Sequence, residues 1–81
     1  MTREEAYEKL NEVFRDVFDD EDITVNDATQ AKDVDGWDSL EHINLIVAIE
    51  EMFDIKFSMG QTTSMKNVGE MVDEILKKVE A

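Results

Sequence analysis

Three stretches of this chain place apolar residues at every third or fourth position, and proline, which would break such a pattern, is absent throughout. In the first, Thr2 followed by Glu5 reads as a capping box. Tyr7, Leu10, Phe14 and Val17 then follow at helical spacing with Val13 and Phe18 beside them, which predicts a helix running to about Phe18. In the second, Asp38 and Glu41 repeat the cap-plus-three pattern ahead of a helix reaching about Phe53, so Ser39 falls in its first turn. In the third, Asn67 with Glu70 opens a last helix whose Val68, Met71, Val72, Ile75, Leu76 and Val79 form one apolar stripe. Residues 58–65, with Gly60 and two threonines, suit a short or irregular helical turn. The expectation is an all-α fold in one domain over residues 1–81, a small four-helix bundle of three main helices plus one short irregular helix.

Between the first two helices the periodicity fails. Residues 19–37 open with the charge run Asp19-Asp20-Glu21-Asp22 and carry only scattered apolar residues, Ile23, Val25, Ala28 and Val34. They are expected to form a long loop pinned to the bundle by those four side chains; long ordered loops in small domains often carry function.

At 81 residues the chain has little room for a large buried catalytic cleft, which favours a small module over a self-contained enzyme. Its 21 acidic residues against 8 basic ones give a net charge of -13. Nucleic acid and anionic membranes should repel it, and basic protein surfaces should attract it in a salt-dependent way. The absence of cysteine excludes disulfides, thiolate metal sites and a cysteine nucleophile, so any thiol the protein uses must be borrowed. The charged start and amphipathic first segment read neither as a signal peptide nor as a membrane span, and a cytoplasmic monomer is expected.

The second helix carries more apolar residues than one face can hold. At roughly 100° per residue, Leu45, Ile46, Ile49, Met52 and Phe53 share a wide arc suited to the core, and His42 projects toward it as a polar residue at the edge of the packing. Leu40, Ile43 and Val47 share a narrower arc, flanked by Glu50 on one side and by Asn44 and Glu51 on the other. An aliphatic stripe rimmed by carboxylates is the pattern of a helix that binds a partner. Ser39 lies beside the upper end of that stripe, and no Lys or Arg occurs between Lys32 and Lys56, only Asp33, Asp35, Asp38, Glu41, Glu50, Glu51 and Asp54.

Three chemistries could involve that serine. Hydrolysis would need a base and an oxyanion hole, but the only histidine is His42 and the window Gly36-Trp37-Asp38-Ser39-Leu40 is no nucleophile elbow. A calcium loop counted from Asp33 would place Gly36 too early and Asn44 where a bidentate Glu belongs. The third is that Ser39 is itself a substrate, carrying a phosphate-linked group. The first turn of a helix tolerates a phosphodiester because its N–H groups are unpaired and the dipole is positive there.

The motif Asp38-Ser39-Leu40, preceded by Gly36-Trp37 and followed by a helix ending Ala48-Ile49-Glu50-Glu51-Met52-Phe53-Asp54-Ile55, closely resembles acyl carrier proteins, and the similarity extends over nearly the whole chain. The resemblance implies that Ser39 is esterified with 4'-phosphopantetheine, taken from coenzyme A by a Mg2+-dependent phosphopantetheinyl transferase. It further implies that the thiol of this arm carries acyl groups as thioesters to acyl-transferring, condensing or acyl-loading enzymes with basic docking patches. Asp38, Leu40, Glu41, Ile43, Val47, Glu50 and Glu51 would form the surface those enzymes share. Ile46, Ile49, Phe53, Met71 and Ile75 could part to shelter an acyl chain. The lead-in Val34-Asp35-Gly36-Trp37, Asn44 in place of an acidic residue, and the less acidic residues 58–65 depart from fatty-acid-synthesis carriers and point toward a specialised pathway. Two alternatives stay open: an aminoacyl or peptidyl carrier such as a D-alanyl carrier, and a noncovalent acidic adaptor.

Because so many like charges repel one another in so small a chain, added salt or millimolar divalent cations should raise the thermal midpoint. A salt series followed by circular dichroism tests this, and a midpoint that does not move would show that charge repulsion does not limit stability.

Overall fold

The computed structural model describes residues 1–58, 60, 61 and 65–80. Among these are three α-helices, α1 (Arg3–Val17), α2 (Ser39–Phe53) and α3 (Val68–Glu80), a 3-10 turn at Ala31–Asp33, and no strand. Helix α1 starts where Thr2 and Glu5 satisfy each other's backbone: the Glu5 N–H donates to Thr2 Oγ1 and the Thr2 N–H to Glu5 Oε1, both at 3.1 Å. Helix α2 ends at Asp54, whose left-handed backbone (φ 55°) terminates the run.

Helix α1 packs against both α2 and α3. The core between them holds Leu10 and Phe14 from α1, Leu45 and Ile49 from α2, and Met71 and Ile75 from α3, all essentially inaccessible to water. Removing a side chain of this size from water contributes about 1.5–3 kcal/mol each, and the apolar spacing along each helix is what aims them inward. Met52, expected in the core, is instead 40% exposed. It sits at the edge of the α2 arc, about 70° from its centre at 100° per residue, where the neighbouring helices no longer cover it.

Residues 18–38 are ordered by polar anchors more than by apolar pins. Val25 is buried and its N–H donates to Asn11 Oδ1 (2.8 Å), while Ile23 and Val34 are only half-buried. Ala28 is exposed, contrary to expectation: its N–H donates to Asn26 Oδ1 (2.9 Å) in a tight turn that leaves the methyl in water. Arg15 donates from Nε to the Ile23 carbonyl (2.8 Å) and from Nη2 to Thr24 Oγ1 (3.3 Å). The 3-10 turn had no periodic signal; it is closed by the Asp33 N–H on the Gln30 carbonyl and the Gln30 N–H on Asp33 Oδ2, each 2.9 Å.

A second anchor joins the loop to both α1 and α3. Arg3 pairs with Asp27 (2.6 Å) and with Asp73 (2.8 Å), and the Tyr7 hydroxyl donates to the same Asp27 carboxylate. The hydrogen bonds from Tyr7 and then Arg3 hold the Asp27 carboxyl below its ordinary range. Burial, followed by the bond to Asp27, pushes the Tyr7 phenol up. Loop carbonyls also satisfy the start of α3: the Val68 N–H donates to Thr29 O (2.8 Å) and the Gly69 N–H to Asp27 O (3.1 Å). Asn67 caps the same helix, accepting from the Glu70 N–H at 2.9 Å.

Of the irregular turn expected over residues 58–65, Gly60 and Gln61 are helical, with the Ser58 N–H donating to Gln61 Oε1 (2.9 Å). Residues 59 and 62–64 lie outside the described residues, and with them most of the expected fourth helix.

The loop passes so close to α3 that a Cβ on Gly69 would lie 2.9 Å from the Asp27 carbonyl oxygen and 3.1 Å from the Asp27 Cβ. Gly69→Ala should therefore destabilise the protein by about 1–3 kcal/mol through forced backbone displacement, read from the urea midpoint. An unchanged midpoint would mean the loop can retreat without cost.

Candidate functional site

The approach to α2 is a sharp turn. Gly36 has φ +86°, a conformation that disfavours side chains; the Trp37 N–H donates to Val34 O (3.2 Å) and the Asp38 N–H to Gly36 O (3.0 Å). Asp38 is then the N-cap, its carboxylate accepting from the Glu41 N–H at 2.8 Å. Ser39 is the first helical residue and is exposed. As at any helix start, the N–H groups of Ser39 and Leu40 have no acceptor one turn back. The serine hydroxyl thus stands in water beside two unpaired donors at the positive end of a helix.

Trp37 fixes this turn against the core. Its ring meets the buried Phe14 edge-on, 5.2 Å between centroids, and lies 6.1 Å from Phe18; its indole N–H donates to His42 Nδ1 at 3.1 Å. His42 is half-buried at the packing edge, and the nitrogen bonded to Trp37 is not available as a base toward Ser39. The sequence separates Trp37 from His42 by less than two helical turns but carries no signal that their side chains bond.

Ser39 opens onto a cleft of about 860 Å³ between α2 and the segment preceding α3, walled by Trp37, Ile43, Ile46, Val47, Phe57 and Met65. Of the side chains proposed to shelter an acyl chain, Ile46 and Met71 line this cleft, whereas Ile49, Phe53 and Ile75 remain in the core behind it. Phe57, Met65 and Lys66 were not singled out from the sequence, because they fall outside the helical periodicity.

On the outer face, Leu40, Ile43 and Val47 are 67%, 60% and 48% exposed, so the narrow apolar arc does face solvent. Glu51 is exposed beside it. Two other carboxylates have internal work. Glu41 is half-buried and accepts from Asn44 Nδ2 at 3.4 Å, and Glu50 accepts from the Phe57 N–H at 2.8 Å, tying α2 to the segment that follows it. Among the described residues no three His, Cys, Asp or Glu side chains converge to hold a metal ion.

An acyl carrier protein from Guillardia theta is 33% identical to this chain over the full length of both. The chain belongs to the acyl carrier protein family. Acyl carrier proteins from Petrotoga mobilis and Thermosynechococcus vestitus are each 32% identical, over 98% and 100% of this chain and 93% and 100% of their own lengths. The solution structure of the holo acyl carrier protein from Geobacter metallireducens superposes with a TM-score of 0.87 at 44% identity, covering 93% of this chain and 86% of that one. No family model matches the chain. As a member of this family the protein is a carrier of acyl groups rather than an enzyme. No helix among the described residues is long and apolar enough to cross a membrane.

The cap is the feature that holds the serine in the first turn. Asp38→Ala should cost about 1 kcal/mol of stability, measured by urea denaturation, with Asp38→Asn recovering most of the loss. Equal stability of wild type and Asp38→Ala would show that the cap does not order this turn.

Proposed function

We propose that Ser39 is the attachment point of 4'-phosphopantetheine and that this chain delivers acyl thioesters from that arm to enzymes of a fatty-acid, polyketide or another specialised acyl pathway. One observation carries the reading: an exposed serine hydroxyl at the first position of a capped helix, next to unpaired N–H groups, opening onto an apolar cleft and a solvent-facing aliphatic stripe. The residues present suit the group. Ser39 Oγ would form the phosphoester, the first-turn N–H groups and helix dipole would stabilise its negative charge, and the walls formed by Trp37, Ile43 and Val47 would receive the arm or its cargo. When attached, the arm supplies the thiol that this cysteine-free chain lacks.

Docking falls to the outer face of α2. Leu40, Ile43 and Val47 offer desolvation, and Asp38, Glu41, Glu50 and Glu51 offer charge to basic patches on a Mg2+-dependent phosphopantetheinyl transferase and on acyl-transferring, condensing or acyl-loading enzymes. Tethering raises the effective concentration of cargo at each docked site, so weak, salt-sensitive docking suffices and lets the carrier leave for the next enzyme. We further place the protein in the cytoplasm as a monomer of one domain.

Incubation with coenzyme A, Mg2+ and a broad-specificity phosphopantetheinyl transferase, followed by intact mass, should add one phosphopantetheine to the wild type and none to Ser39→Ala. No addition to a folded sample with active transferase would overturn the attachment and favour the noncovalent adaptor. Addition to Ser39→Ala would move the site elsewhere.

A further inference from the structure

We infer that Trp37 and His42 form a proton-sensitive latch that positions the turn carrying Ser39, closed while His42 is neutral and released when it gains a proton. The bond between them is directional: the indole N–H can only donate, and His42 Nδ1, 3.1 Å away, accepts. A protonated imidazole has no lone pair left, so protonation puts two donors face to face across a contact that is partly shielded from water. The rings are also near-parallel, 6.0 Å between centroids at 21°, so release depends on the loss of the Nδ1 lone pair and not on the stacking, which tolerates a cation.

What the bond holds is the lead-in to the site. Trp37 precedes the N-cap Asp38 and Ser39, and His42 lies in the turn of α2 that follows, with its own N–H on the Asp38 carbonyl at 2.8 Å. The latch therefore closes a small ring of structure around Ser39. Its other wall is the contact of Trp37 with Phe14 and Phe18 of α1, neither of which titrates. Charged neighbours come from three places: Asp38 at the helix start and Lys66 ahead of α3 line the same cleft as His42, and Glu41 and Glu50 belong to its own helix. Glu50 is fixed by the Phe57 N–H, and Glu41 is partly engaged by Asn44. Histidine is the side chain whose charge ordinarily changes between about pH 5 and 8, which sets the range over which the latch is to be tested.

The protein itself supplies the probe, because Trp37 is its single tryptophan. Between pH 8 and pH 5 the wild type should show a change in tryptophan emission and a fall in urea midpoint, and both should vanish in His42→Gln, which keeps an acceptor that does not titrate. An identical change in wild type and His42→Gln, or no change in the wild type, would overturn the latch. Should His42→Gln not fold, the Trp37 indole N–H resonance of the wild type decides: movement that tracks the imidazole titration supports the latch, and a resonance that stays fixed while the imidazole titrates overturns it.

The consequence for modification rests on the carrier reading of Ser39, and the two fail separately. The rate of phosphopantetheine addition to wild type relative to His42→Gln should fall roughly two- to tenfold from pH 8 to pH 5, the range expected for losing one hydrogen bond. A constant ratio would show that the pair does not position Ser39. Absence of addition at every pH would sink the attachment site, while the fluorescence result would still decide the latch.

Discussion

Positive charge is scarce in this chain, and where it is placed organises the rest. The protein has two arginines, and both tie down residues 18–38: Arg15 through the carbonyl of Ile23 and the hydroxyl of Thr24, Arg3 through Asp27 while it also reaches Asp73 on α3. A planar guanidinium suits this role because it can donate in several directions at once, where a lysine would offer a point charge. With the loop fixed, its carbonyls at Asp27 and Thr29 complete the start of α3, and Trp37 is delivered onto Phe14 ahead of Ser39. The same placement leaves the outer face of α2 with no cation of its own. Its negative potential is thus uncompensated where a basic partner would approach.

Helix α2 serves two environments. Leu45, Ile46, Ile49 and Phe53 are buried in the common core, Leu40, Ile43 and Val47 face water, and Ser39 stands at the boundary between the two arcs. Exposing three aliphatic side chains forgoes the stabilisation their burial would give, and a chain of this size has little to spare. That cost is intelligible on the proposed role of the stripe as a docking face for partner enzymes. Glu50 links the two environments, since it rims the exposed stripe and at the same time accepts the Phe57 N–H behind it.

Local rules in the sequence revealed the helices well. Thr2, Asp38 and Asn67 each cap as their positions three residues ahead of Glu5, Glu41 and Glu70 suggested, and the apolar period separated the two faces of α2. It misplaced Met52 because an ideal helical wheel does not know how far neighbouring helices extend. Ala28 failed for a related reason: hydrophobicity marks what can be buried, while the Asn26 turn decides which way the methyl points. The bonds that order the loop were not legible at all. Arg3 meets Asp27 and Asp73 across the fold, and Trp37 meets His42 through an orientation that spacing does not encode. For the site, the residue types around Ser39 were readable, but the cleft was not, because Phe57 and Met65 join it from outside the periodic segments.

The ties at Arg3 also act as a staple across the sequence. They join a residue near the beginning of the sequence to Asp27, 24 positions on, and to Asp73, 70 positions on, so a single side chain closes two loops of very different length at a cost that grows only slowly with the length closed. Arg3 thus holds together three parts of the chain that local helix formation alone does not join: the start of α1, the loop at Asp27 and the body of α3.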